Sequence, residues 1–228
     1  MQSNSQQFKR GSLAMMPLSL IVLPWGVLTG SLAMDAGLSE LSAAAMSLLV
    51  FAGAAQLVAL GLIKAGAGIF TILLTTLFIT SRHFLYGVAM RSKIANRPLK
   101  WRLSLGFLLT DELFAVCGMQ RDEDFNQWFA LGAGLSFYIA WNLSTMAGIV
   151  LASQVPELSE YGLEFAIAAI FIAMVAPGVK TWATVTAVIV SLVLSVVFSL
   201  FAIPAAIVLA SLLAMACAYG VDSWERKQ

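Results

Sequence analysis

Apolar stretches of about 20 residues recur from one end of this chain to the other, and that repetition limits its fold more than any other feature. Each is long enough to cross roughly 30 Å of hydrocarbon as a helix. None shows the alternation of apolar and polar residues that a membrane barrel strand needs, so helices are the spanning option that remains. With 60% hydrophobic and only 11% charged residues among 228, the composition lies far from that of a soluble domain. The reading is an all-α, polytopic transmembrane bundle of about 7–8 spans, near 13–34, 41–63, 67–90, 103–119, 127–153, 163–176, 181–200 and 203–221. Residues 1–12 and 222–228 form polar tails around a single transmembrane transporter domain at 13–221. The apolar run after Lys9-Arg10 is longer than a signal-peptide core, and a retained first helix is expected.

A net charge of +1, with no long basic or aromatic-studded tract, gives no footprint for nucleic acid. Cys117 and Cys217 lie in apolar segments without metal-ligand spacing and read as packing residues, so neither metal nor cofactor is expected. The loops raise a conflict. Lys9-Arg10 and the five basic residues of "RSKIANRPLKWR" (91–102) both belong on the cytoplasmic side by the positive-inside rule. Three full spans between them would set them on opposite faces. One of the first three segments is therefore expected to be broken or re-entrant, as backbone lining a protein cavity is allowed to be. "VLPWG" (22–26) offers a break at Pro24 and Gly26, since proline lacks a donor and glycine admits unusual dihedrals. An ordinary proline kink is the other reading. "AMVAPG" (173–178) repeats the pattern at Pro177, and Gln56 and Asn142 fall in the second member of two successive three-span groups, as inverted repeats would have it.

Ionisable residues inside spans mark function or bind helices together. Arg82, in "SRH" (81–83), lies nine residues before the basic loop begins at Arg91, and Asp111, in "TDE" (110–112), lies nine residues after it ends at Arg102. At 1.5 Å per residue both Arg82 and Asp111 lie about 13 Å deep from one surface. Antiparallel neighbours would set them level. His83 is the one histidine of the chain, and imidazole is the side-chain type that exchanges protons near neutral pH. Gln56, in "FAGAAQ", and Asn142, in "AWNLSTMAG", sit among small residues that permit close helix approach and hydrogen bonding between helices.

The ordered set "VFAGAAQ" (50–56), "SRHFLYG" (81–87), "LLTDE" (108–112), "W.LST.AG" (141–148) and "YGLEFAIAAIF" (161–171) resembles the large permease subunit of the AzlC-type branched-chain amino acid exporters. Ser81 stands where an Asn is usual, and Glu164 where the family pattern has Asp. The resemblance implies a multi-pass inner-membrane permease, not an enzyme, that exports valine, leucine, isoleucine and also methionine with a small AzlD-type membrane subunit. An amino acid needs a cationic or helix-terminal partner for its carboxylate, an acidic one for its ammonium and an apolar pocket for its side chain. Arg82, Asp111 and Glu112 are expected to supply the charges, with Gln56, Tyr86 and Asn142 orienting the backbone. His83, Asp111 and Glu112 are the expected proton carriers, since no ATP-binding motif is present.

Four other readings are weighed against this one. An intramembrane hydrolase would draw on Ser81, His83 and Asp111, but without a nucleophile motif or a second histidine. A structural membrane subunit would use the charges only as helix cement, and a transporter for another small zwitterion would keep the same polar groups. A channel would need a filter motif or charge ring, and neither is visible.

Overall fold

The computed structural model describes residues 3–118, 120–154, 172, 176, 179–201, 203 and 206–225, and among these there are ten helices and no strand. They are α1 (Asn4–Asp35), α2 (Glu40–Leu49), α3 (Gly53–Lys64), α4 (Ile69–Ala89), α5 (Arg91–Ile94), α6 (Leu99–Phe107), α7 (Asp111–Cys117), α8 (Gln127–Gln154), α9 (Trp182–Leu200) and α10 (Ala206–Glu225). Four of them, α1, α4, α8 and α9, are long and apolar enough to cross a membrane. The apolar segment at 163–176 and the break at Pro177 lie outside the described residues, apart from single positions.

The core is a parallel pair, α1 against α8, that meets backbone to backbone. Gly11 lies against Phe129, Gly26 against Ser144 and Gly30 against Thr145, while Gly132 and Gly148 lie against Phe8 and Val27. A Cβ on Gly148 would fall 2.0 Å from the Val27 carbonyl oxygen, so no larger residue fits without moving a helix. Ser12 Oγ donates to Gly132 O (3.1 Å) and Ser31 Oγ to Gly148 O (3.2 Å) along the same seam. Numbers rise together on both helices, so their N-termini share a face. Trp101 meets Trp128 edge-on at 4.8 Å, which brings the basic loop 91–102 to that face too.

The expected break at Pro24 and Gly26 is absent. Both residues lie inside the continuous helix α1, where Gly26 serves the contact with α8 instead. The re-entrant segment is the next one. After a four-residue turn, α2 runs inward from the C-terminal end of α1, and α3 returns to it: Lys64 Nζ at the end of α3 lies 2.8 Å from Asp35 Oδ2 at the end of α1. At 10 and 12 residues, these helices are about 15 and 18 Å long, each half a bilayer core. The turns on either side, 36–39 and 65–68, both place a glycine in the left-handed region, Gly37 at φ 84° and Gly66 at φ 70°, which closes each helix with the Schellman pattern. From there α4 crosses back to the basic face.

A second re-entrant pair enters from that face. α6 runs inward, and α7 returns far enough for Asp122 beyond it to reach Lys93 (3.2 Å) and the Ser92 hydroxyl (3.1 Å). Segments 41–63 and 103–119 are therefore helical hairpins that turn back at mid-depth, not spans. With one hairpin between them, Lys9-Arg10 and 91–102 share a face, and the conflict in the basic loops disappears. The two hairpins enter from opposite faces. α9 and α10 pack together and touch α4 through α10. Among the described residues Cys117 is buried, as a packing role requires, whereas Cys217 is exposed on α10.

Candidate functional site

The two hairpin tips meet. Phe51, at the turn between α2 and α3, stacks on Phe107 at the end of α6 (6.2 Å) and meets Tyr138 of α8 edge-on (4.9 Å). No proline forces the α2–α3 turn. It is held instead by the buried Phe51 ring and by Tyr138 Oη, which donates to Leu48 O at 3.0 Å and so satisfies one carbonyl that the end of α2 leaves unpaired. Gly53 opens α3 because the Trp141 ring would lie 2.6 Å from any Cβ there. In the α6–α7 turn, Thr110 Oγ1 accepts from Leu113 N (3.4 Å) and caps α7. Asp111 and Glu112 then occupy the first turn, where the helix dipole favours negative charge.

Between the tips, α1, α4 and α8 enclose a cavity of about 350 Å³, within the range of small-molecule sites. Its walls are of two kinds. Leu18, Val22 and Trp25 of α1 with Phe137 and Trp141 of α8 make one side apolar, while Arg82, His83, Asp111 and Glu112 make the other charged. The floor is the first turn of α3, Ala52 to Ala55. That helix start carries no side-chain cap, so the amides of its first turn face the cavity without the partner that Thr110 gives α7.

Arg82 Nη1 lies 2.7 Å from Asp111 Oδ2, and about a third of each side chain is accessible. The pairing expected from matched depth is thus present, although Asp111 arrives on a hairpin tip and not within a span. Arg82 Nε and Asp111 Oδ1 are buried and have no hydrogen-bond partner among the described residues. His83 Nδ1 lies 3.2 Å from Thr80 O, a carbonyl that only accepts, so Nδ1 is the donor of this contact.

The amides and the tyrosine named from sequence are not part of the lining. Gln56 is buried on α3, 1% exposed, with Oε1 unpartnered among the described residues. Asn142 donates to Tyr138 O of its own helix (2.9 Å). Tyr86 stacks on Phe114 at 4.5 Å, meets the His83 ring edge-on at 5.9 Å and stands beside the Asp111 carboxylate, bordering the charged wall without lining the cavity. Ser81 is exposed and donates to Phe78 O (2.7 Å), so Ser81, His83 and Asp111 do not assemble as a hydrolase would need. Among the described residues no His, Cys, Asp and Glu group has metal-site geometry. The residues that sequence reasoning passed over are Thr110 and the start of α3. The first had a signal, a Thr followed by Asp-Glu at a helix start; the second had only Gly53.

The family model described as AzlC protein matches residues 17–155. The matched region holds both hairpins and every charged residue of the cavity. This chain belongs to the AzlC family. It is 31% identical over 180 residues to an uncharacterized membrane protein of Archaeoglobus fulgidus, covering 78% of each chain. It is 29% identical over 212 residues to the inner membrane protein YgaZ of Escherichia coli K12, covering 89% of this chain and 86% of that one. The branched-chain amino acid transport protein AzlC of Bacillus subtilis 168 is 28% identical over 150 residues, 64% of this chain and 58% of that one. No solved structure matches. The membership and the several apolar helices make this a multi-pass membrane protein.

Proposed function

We propose that this AzlC-family member is a secondary transporter that carries branched-chain amino acids, and methionine, out across the inner membrane. It works with a small AzlD-type subunit and takes protons in exchange. The observation that carries the reading is the two-sided cavity between hairpin tips at mid-depth. Substrate sites of secondary transporters lie near the midplane, where half-helix N-termini face anionic groups. Here the substrate carboxylate meets the uncapped start of α3, its ammonium meets Asp111 and Glu112, and its branched side chain lies against Val22, Trp25 and Phe137. Arg82, already held by Asp111, balances the acidic pair and is released in part when the ammonium takes its place.

Charge counting supports exchange with protons. Arg82 brings one fixed positive charge against the two carboxyl groups of Asp111 and Glu112, which leaves one carboxyl group without an arginine to balance it in a low-dielectric site. An ammonium or a proton neutralises it, and the two then alternate. With the basic face inside, as the positive-inside rule places it, protons enter from the hairpin α2–α3 side and substrate leaves by it. The name of the Bacillus subtilis relative, a branched-chain amino acid transport protein, supports the substrate class.

The test is a flux assay in proteoliposomes holding this chain and its small partner, loaded with labelled valine. An inward proton gradient should accelerate valine efflux, and Glu112→Gln should remove that acceleration while downhill exchange persists. Absence of valine flux in the wild type would sink the substrate assignment; flux insensitive to the gradient would sink the coupling.

A further inference from the structure

A second concavity, separate from the cavity between the tips, runs from the basic face along α6 to Leu109. It is a groove of about 530 Å³ between the end of α4, α5 and α6. One wall is a helical stripe on α4 and α5 containing Gly87, Arg91 and Ile94; the other is a stripe on α6 containing Leu99, Arg102, Leu103 and Gly106. Gly87 and Gly106 face its open space, where a Cβ on either would meet nothing within 4 Å. Leu99 and Leu103 are 62% and 64% exposed, an aliphatic edge suited to hydrocarbon.

Among the described residues some charges on this face are paired and others, within the groove, are not. Lys93 is paired with Asp122, and Arg121 with Glu123 and Asp124. Arg91 and Arg102, which flank the groove, have no acidic partner among the described residues. Two uncompensated guanidiniums above an apolar trough complement a molecule with an anionic head and an aliphatic tail. Basic pockets between membrane helices on the cytoplasmic side bind anionic headgroups in this manner, and the guanidinium fork matches a phosphate bidentately.

We infer that this groove is a binding site for one anionic phospholipid, its phosphate held between Arg91 and Arg102 and one acyl chain laid along Leu99 and Leu103. The site is built from the hinge between α4 and the inner-face hairpin, so an occupied groove braces the element that carries Asp111.

Native mass spectrometry of the purified full chain tests this, with dioleoyl phosphatidylglycerol and dioleoyl phosphatidylcholine as probes. The wild type should retain the anionic lipid more tightly. Arg91→Gln with Arg102→Gln should weaken retention about 25-fold, roughly fivefold for each charge at the membrane surface. Gly106→Leu, which fills the groove and leaves both arginines, should weaken it as well. Arg97→Gln with Lys100→Gln, two cations of the same face outside the groove, should change nothing. Equal retention of both lipids, or an equal loss in the Arg97 and Lys100 variant, would overturn the site in favour of general surface charge. A cross-linker at Leu103→Cys that captures a polypeptide and not lipid would overturn it in favour of a protein contact.

Discussion

Removing the Arg82–Asp111 pair one partner at a time and then together separates transport chemistry from helix cement. The pair spans 2.7 Å between α4 and the tip of the inner-face hairpin. Asp111→Asn strands Arg82, whose Nε is already without a partner among the described residues. A charge left unpaired inside a membrane protein costs about 3–5 kcal/mol. That is a large share of the ~5–15 kcal/mol by which domains are stable. Arg82→Gln strands Asp111 beside Glu112 and should cost at least as much. The double variant leaves no stranded charge at this pair and should recover most of that loss, a coupling of roughly 2–4 kcal/mol in the cycle. The measurements are melting temperature in detergent and valine flux in proteoliposomes for all four proteins. The expected result is recovery of stability in the double variant without recovery of flux. A double variant that transports at the wild-type rate would refute the proposed role and leave the pair as cement.

The seam between α1 and α8 gives a second prediction: Gly148→Ala sets a Cβ 2.0 Å from the Val27 carbonyl and should destabilise the protein by about 1–3 kcal/mol or more, as overpacking does, read as a lowered melting temperature. Gly53→Val should raise KM for valine at least tenfold with little change in membrane level, because it displaces the Trp141 ring at the cavity floor; an unchanged KM would remove the start of α3 from the site. For topology, single cysteines at Gly37 and Gly66, in a background lacking Cys117 and Cys217, should label from one side of the membrane and a cysteine at Asn96 from the other. In the loop beyond α7, the Ser92 hydroxyl and Lys93 hold the Asp122 carboxyl below the ordinary range. Its stabilising contribution is therefore present above the unfolded carboxylate pKa and lost as pH falls through the lower folded value, so Asp122→Asn should flatten the acid limb of a stability–pH curve.

The sequence by itself determined the solvent and the class of fold. Apolar runs without alternation leave helices as the only way to satisfy backbone groups in lipid. The positive-inside conflict showed that one early segment turns back, and equal spacing from the basic loop showed Arg82 and Asp111 to be level. Which segment turns back was not legible. Pro24 offers the obvious break, yet it stays in helix because α1 is held along its length by the glycine seam with α8. The real turn at 50–52 contains no proline; its dihedrals are set by Phe51 against Phe107 and Tyr138 and by the Tyr138 hydroxyl on Leu48 O, partners more than fifty residues away. For the same reason the sequence did not show that Gln56, Tyr86 and Asn142 fall outside the lining of the cavity. Mid-membrane depth is a one-dimensional quantity that a linear count can supply, whereas the direction in which a side chain faces depends on where a helix begins, and those beginnings were decided by tertiary contacts alone.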